Sequence, residues 1–130
     1  MSAIVAMVIV VLAGCAGMTP AGPAETVVSI AGFDTVKGKW AGVITRSPAS
    51  RREDLVELTV DADGSYRFES ARTIGVLQGG GKLALRDGAL FSSSEHGSAT
   101  YRLVDRGGQR LLKVDAVDRD GLRYSGELTR

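Results

Sequence analysis

From Gly38 onward the chain alternates apolar and polar residues in short runs, and this period of two constrains its fold more than any other feature. Side chains of a β-strand point alternately to its two faces, so such runs favour half-buried antiparallel strands. No part of this region has the 3.6-residue period of an amphipathic helix. The positions expected to face inward are Trp40, Gly42, Ile44, Val56, Leu58, Val60, Tyr66, Phe68, Leu83, Leu85, Leu90, Ser92, Ala99, Tyr101, Leu103, Leu112, Val114, Leu122, Tyr124 and Leu128.

Turn residues separate these runs at short intervals. Asp63-Gly64, Asp87-Gly88 and Asp120-Gly121 each lie between two alternating runs, and Asp-Gly tolerates the positive φ that tight hairpins require. Further reversals are expected at Gly79-Gly80-Gly81, Glu95-His96-Gly97 and Arg106-Gly107-Gly108. About eight strands then fit into residues 38–130, which predicts an all-β fold: an antiparallel up-and-down meander that closes into a small β-barrel.

The N-terminus carries a sorting signal. Residues 3–13 are an unbroken apolar run, too short to span a bilayer comfortably because a spanning helix needs roughly 20 apolar residues. The next residues complete the tetrad Leu12-Ala13-Gly14-Cys15, which resembles the lipobox of bacterial lipoproteins. The resemblance implies that a signal peptide of residues 1–14 is cleaved and that Cys15, the only cysteine, is acylated. It also implies, with Ala16 next in the chain, a lipid-anchored protein of the outer membrane that faces the periplasm.

Residues 15–37 are expected to be a lipidated N-terminus and flexible tether, because Pro20 and Pro23 stand there among small residues. The stretch 25–37 is compatible with a short strand or with a helix that plugs one end of the fold. The β-barrel domain is expected to cover residues 38–130.

The start of that domain, Gly38-Lys39-Trp40-Ala41-Gly42, resembles the Gly-x-Trp entry of lipocalin-like (calycin) β-barrels. The resemblance implies that the indole caps one end of the barrel and that Arg123 or Arg130 lies across it through a cation–π contact. The aromatic residues then either fill the barrel or line a ligand pocket. The candidate pocket residues are Trp40, Tyr66, Phe68, Tyr101 and Tyr124.

The sequence offers little for catalysis, metals or nucleic acid. His96 is the only histidine and is expected in a solvated loop, so a nucleophile would have no oriented base, and we expect no enzyme and no cofactor. The run Asp61-Ala62-Asp63-Gly64 lacks the remaining ligands of a calcium loop, so no metal site is expected, and Gly79-Gly80-Gly81-Lys82 is not a phosphate-binding motif. The net charge of +1 comes from interleaved acids and bases, which excludes the basic patch of a nucleic-acid-binding protein.

Three functional hypotheses follow. The first is a non-enzymatic envelope lipoprotein whose barrel binds an envelope protein, glycan or lipid. The second is a lipocalin-like carrier of a small apolar ligand. The third is a periplasmic lysozyme inhibitor, because Gly97-Ser98-Ala99-Thr100-Tyr101 is similar to the loop by which the membrane-bound lysozyme inhibitors insert a serine into the enzyme cleft.

Overall fold

A computed structural model describes residues 24–47, 53–72 and 75–130 of the chain. The predicted signal peptide, Cys15 and most of the predicted tether lie outside the described residues. Within those ranges the structure is all-β, as predicted, with one short 3₁₀ helix at Phe33–Thr35. The strands are β1 (Glu25–Val28), β2 (Gly38–Ser47), β3 (Glu53–Val60), β4 (Ser65–Arg72), β5 (Gly75–Lys82), β6 (Ala84–Arg86), β7 (Ala89–Ser94), β8 (Gly97–Arg106), β9 (Gln109–Asp118) and β10 (Arg123–Thr129).

The strands form one antiparallel sheet that curls into a nearly closed barrel. Neighbours in the sheet follow the order β5-β4-β3-β2-β10-β9-β8-β7-β6, so the predicted up-and-down meander is confirmed. The ladder of hydrogen bonds is interrupted between β5 and the β6–β7 hairpin, although β5 lies beside β7. We call this interruption the seam. It leaves the barrel with two strand edges instead of the complete ring that removes every edge.

Tight turns of the predicted kind set the strand register. Asp87 and Gly88 both have positive φ, at 52° and 75°, and form the two-residue turn between β6 and β7. Such turns match the right-handed twist of the strands they join. Gly64 and Gly121 also have positive φ, at 84° and 82°, in the turns that follow β3 and β9. All three predicted Asp-Gly turns therefore lie between consecutive strands.

The folded unit begins before Gly38, where the sequence predicts a tether. Strand β1 pairs with the second half of β8, with Val27 opposite Val104. Strand β7 pairs with the first half of β8 along the same edge. Ile30 and Val36, which follow β1, are buried in the barrel core. The short-strand alternative for this stretch is therefore confirmed, and the flexible tether does not extend over residues 25–37, because their apolar side chains cover one end of the barrel.

The predicted reversal at Gly79-Gly80-Gly81 is also wrong, since all three residues belong to β5. These glycines do not form a turn; their lack of side chains lets neighbouring groups pack closely against the strand. A Cβ built on Gly79 would lie 2.4 Å from Cε1 of Phe68 on the neighbouring strand. One built on Gly80 would lie 2.6 Å from the carbonyl oxygen of Tyr66. Gly79 thus leaves room for an aromatic ring of β4.

Candidate functional site

A single tryptophan closes one end of the barrel, which we call the tryptophan end. Trp40 has no exposed surface, and its Nε1 donates a 2.8 Å hydrogen bond to the carbonyl oxygen of Val36. The guanidinium of Arg130 lies 4.4 Å from the centre of the indole. It also donates to the carbonyl oxygens of Thr35 (2.9 Å) and Lys37 (3.2 Å). This arrangement ties the C-terminus to the segment that covers the core.

The expected cation–π contact is thereby confirmed for Arg130, whereas Arg123 is exposed at the start of β10, paired with Val117. Trp40 was also expected to line a ligand pocket, but it is not among the residues that line the cavity described next. The indole is enclosed by Val36 and Arg130 and packs within the core, so it presents no face to the cavity.

The interior of the barrel contains a cavity of about 120 Å³. It lies toward the hairpin end, where the chain passes from β2 to β3, β4 to β5, β7 to β8 and β9 to β10. The other four predicted pocket residues, Tyr66, Phe68, Tyr101 and Tyr124, all line it. Aliphatic side chains supply much of the remaining wall: Ile44, Val56, Leu58, Leu77, Val114 and Leu128.

Two buried serines interrupt this apolar wall. Ser92 shares a hydrogen bond with the phenol of Tyr101, at 3.3 Å between the oxygens. Ser70 is only 3% exposed, and its Oγ has no hydrogen-bond partner among the described residues. Most buried hydroxyls in proteins have a hydrogen-bond partner, whereas the Ser70 hydroxyl is available to bond a molecule in the cavity. Burial raises the pKa of Tyr101, which keeps this phenol neutral and able to donate.

His96 joins the wall at the hairpin end. Sequence reasoning placed it in a solvated loop, and it does lie between β7 and β8. Its side chain, however, is only 38% exposed and meets the ring of Phe68 edge-on, with 6.4 Å between ring centres. Ser94 Oγ accepts a hydrogen bond from the backbone N–H of His96 (3.2 Å). This bond involves the backbone of His96 and not its imidazole ring. The cavity therefore has one imidazole at its edge.

Asp118 lies beside His96 in the wall, but its carboxylate is committed to the turn after β9. Its Oδ1 accepts hydrogen bonds from the backbone N–H groups of Leu122 and Asp120, both at 2.9 Å, and its Oδ2 accepts one from Tyr124 at 3.2 Å. The backbone bond from Leu122 is the largest of the effects that lower its pKa. This carboxylate is held ionised for structural reasons, which leaves it a poor general acid.

The acidic turns serve the fold in the same way. Asp63 accepts a 2.9 Å bond from the backbone N–H of Ser65, and Lys82 pairs with it at 3.0 Å. These contacts, led by the backbone bond, lower the pKa of Asp63 to about 2. Across the described ranges no group of three or more histidine, cysteine or acidic residues could hold a metal ion.

An ion-pair network on the outside of the barrel secures β1. The guanidinium of Arg106 bonds both Glu25 and Glu127, and Lys113 pairs with Glu25 at 2.8 Å. The bond from Lys113 is the largest cause of the lowered pKa of Glu25. These ion pairs connect β1 to β8, β9 and β10 at the first strand of the described structure.

The outer face of β7 to β10 forms a second concavity of about 710 Å³, which we call the outer groove. Lys82, Arg86 and Arg123 lie along it together with Asp115, and its other polar lining residues include Ser93, Ser98, Thr100 and Ser125. Arg86 is positioned by the ring of Phe91, 4.6 Å away. This groove is wider and more polar than the interior cavity.

The segment similar to the lysozyme-inhibitor loop lies in a β-strand. Residues 97–101 form the first half of β8, paired on both sides with β7 and β9. Ser98 lines the outer groove in this strand. A serine in a doubly paired strand does not protrude as the resemblance implies.

Sequence reasoning missed Ser70, Leu77 and His96 as residues of the candidate site. The alternation did indicate that Ser70 faces inward, because it lies two residues after Phe68, as Phe68 lies two residues after Tyr66. Leu77 was hidden by the weak alternation before the glycines. The position of His96 against Phe68 depends on contacts between neighbouring hairpins, which no local pattern reports.

No protein-family model matches this sequence, and no curated protein is significantly similar to it. Among the described residues, no helix has both the length and the hydrophobicity required to cross a bilayer.

Proposed function

We propose that this protein is a non-enzymatic lipoprotein of the cell envelope whose barrel binds a small, mainly apolar ligand in its interior cavity. The observation that carries the proposal is the cavity itself, walled by four aromatic rings and by aliphatic side chains. Small-molecule sites are typically apolar concavities with a few well-placed polar groups. The serines and His96 supply those groups here.

The volume sets the size of the ligand. Typical sites for drug-sized molecules occupy about 300–1,000 Å³, well above the 120 Å³ of this cavity. An engineered apolar cavity of about 150 Å³ in another protein binds benzene. The ligand is therefore about as large as one six-membered ring, or it is a larger molecule that inserts only one such end.

A pair of matched substitutions tests this proposal. Ala116 lines the cavity, whereas Ala71 is exposed on β4. Ala116→Leu fills the cavity, and Ala71→Leu makes the same chemical change outside it. Titrating the full chain with toluene, followed by NMR shifts of cavity residues, is expected to show saturable binding. Ala116→Leu should weaken that binding by more than about tenfold, since a larger residue in a packed interior competes directly for the space.

Binding that both leucine variants retain would place the ligand elsewhere. A wild-type protein that shows no saturable shift with toluene or with other single-ring compounds would refute the carrier function.

The proposed location depends on the lipobox resemblance at Cys15. More than one acyl chain at this residue would anchor the domain stably, because a single chain gives only marginal membrane binding. Cells that express the protein should incorporate labelled palmitate into it, and Cys15→Ala should abolish the label. A Cys15→Ala protein that is still labelled would overturn the anchor.

The outer groove supports a second candidate function, in which the anchored barrel binds an anionic component of the envelope. Arg86 and Arg123 form no ion pair with another described residue, and the acidic residue of the groove, Asp115, is paired with Arg102 at 3.6 Å. Arginine is well suited to phosphate or carboxylate groups, which it binds through two parallel hydrogen bonds.

Binding to vesicles that contain anionic lipid, compared with zwitterionic vesicles, tests this candidate. Arg123→Ser should reduce the binding of the unacylated Cys15→Ser protein, whereas Arg110→Ser, a charge change at an exposed position outside the groove, should have little effect. Equal losses in both variants would indicate attraction by overall charge, and no binding to either vesicle would remove the candidate.

A further inference from the structure

Ser70 carries an inference about the chemistry of the cavity ligand, and this inference rests on the proposed carrier function. Its hydroxyl is buried, lines the cavity and has no partner among the described residues. A serine hydroxyl can donate one hydrogen bond and accept two. We propose that the natural ligand is a small amphiphile with a hydroxyl or carbonyl group that bonds Ser70 while its ring or short chain fills the rest of the cavity.

The neighbours of Ser70 explain why this hydroxyl has no partner in the barrel. Its cross-strand partners are Val56 on β3 and Leu77 on β5, and both line the same cavity. Each presents only hydrocarbon. The position is one step of two beyond Phe68, so a valine or leucine would suit the alternating pattern at least as well as serine does.

A trapped water is a poorer partner than a ligand for this hydroxyl. Buried waters are usually held by two to four polar groups, and the residues that pair with Ser70 in the sheet offer it no second one. A ligand brings one polar atom on an apolar body, which matches the surroundings of Ser70, because its neighbours Val56 and Leu77 present only hydrocarbon. The hydroxyls of Ser92 and Tyr101 already bond each other, so they do not need a hydrogen bond from the ligand.

The comparison of Ser70 with Ser92 separates a binding role from a structural one. Removing a hydroxyl that lacks a partner should leave the ligand-free protein as stable as before, or more stable. Ser92→Ala removes the partner of a buried phenol and should lower the unfolding temperature. Ser93 is exposed on the same strand as Ser92, so Ser93→Ala is the control for a harmless loss of hydroxyl.

Phenol and toluene provide the binding test, because they have nearly the same shape and differ by a hydroxyl in place of a methyl group. The full chain and its variants are titrated with each compound, and the ratio of the toluene Kd to the phenol Kd is compared between proteins. Ser70→Ala is expected to lower this ratio by about three- to tenfold, the usual range for one neutral hydrogen bond. Ser93→Ala should leave it unchanged.

The outcomes distinguish a failure of the Ser70 inference from a failure of the carrier function. If both compounds bind and Ser70→Ala leaves the ratio unchanged, the cavity binds ligands without this anchor, and only the present inference fails. If Ser70→Ala destabilises the ligand-free protein as much as Ser92→Ala does, Ser70 is a structural residue and the inference also fails. If neither compound binds the wild-type protein, the carrier function and the inference fail together.

Discussion

The glycine tract of β5 provides a test that links the fold to the cavity. In Gly79→Ala the new Cβ would lie 2.4 Å from Cε1 and 2.8 Å from Cζ of Phe68. Ordinary carbon–carbon contacts are about 3.5–4.0 Å, so the ring must move by about 1 Å. Because Phe68 also lines the cavity, the nearest unoccupied space is the cavity itself.

Two effects are expected from Gly79→Ala. Crowding of a packed interior costs about 1–3 kcal/mol, and the adjoining cavity should keep the loss of unfolding free energy near the lower end of that range. Binding of a single-ring ligand should weaken by at least about tenfold, because the displaced ring occupies the ligand's space. The measurements are urea unfolding and a toluene titration on the same samples.

The same tract offers a matched control at Gly81. A Cβ there would lie 3.5 Å from Cε1 of Tyr66, which is an ordinary contact. Neither Gly79 nor Gly81 has a positive φ, so alanine is compatible with both backbones. Gly81→Ala should be neutral or should stabilise the protein by about 0.4–1 kcal/mol, since it restricts the unfolded chain.

The double variant Gly79→Ala/Phe68→Leu completes the test, because the smaller leucine should relieve the clash. Its two substitutions should be less destabilising together than the sum of their separate effects. The reasoning is refuted if Gly79→Ala and Gly81→Ala behave alike, or if Gly79→Ala reduces stability without affecting ligand binding.

Two further predictions concern the barrel as a whole. Arg130→Ala should lower the unfolding free energy by about 1 kcal/mol and make the indole of Trp40 more accessible to acrylamide, because the guanidinium covers that ring, whereas Arg123→Ala should do neither. Stability should also fall on acidification between about pH 4 and pH 2, because the pKa of Asp63 is lowered to about 2 by contacts that exist only in the folded state. Asp63 stabilises the fold above its unfolded pKa and loses that contribution as the pH falls through its folded value, so Asp63→Asn should have a shallower decline over this window. An unchanged decline would assign the acid sensitivity to other carboxylates such as Glu25.

The sequence determines most of the strands, because two independent local signals agree on them. The alternation selects the residues that face the core, and Asp-Gly pairs mark three of the turns. The alternation and turn signals give the wrong prediction for residues 79–81, since glycine is equally suited to a turn and to a strand that accommodates a neighbouring ring. Only the identity of the residue across the ladder, Phe68, decides between the two.

The sequence left residues 25–37 open between a short strand, a helix and the end of a tether for a similar reason. Strand β1 is short and exposed, and Val27 has 69% of its surface accessible, so its sequence carries little of the pattern that identifies buried strands. It is held by pairing with β8 and by the charges around Glu25, and all of these partners lie at least 75 residues farther along the chain. Local periodicity cannot report such contacts.

The position of the cavity follows from a gradient of side-chain size along the inward faces of the strands. On β8 the large inward residues Leu103 and Tyr101 are followed, toward the start of the strand, by Ala99 and a glycine at position 97, and on β9 the inward residues decrease in size from Leu112 through Val114 to Ala116.

Antiparallel neighbours bring the small ends of both series to the hairpin end, where β7 adds serines at positions 92 and 94. Barrels of about eight strands are only just wide enough for their side chains to fill, and the nine strands of this sheet from β2 to β10 form one of similar size. Replacing large residues by small ones on adjacent strands must therefore leave space, and it does so at the end away from Trp40. The same gradient explains why Ala116→Leu should remove ligand binding while the tryptophan end remains intact.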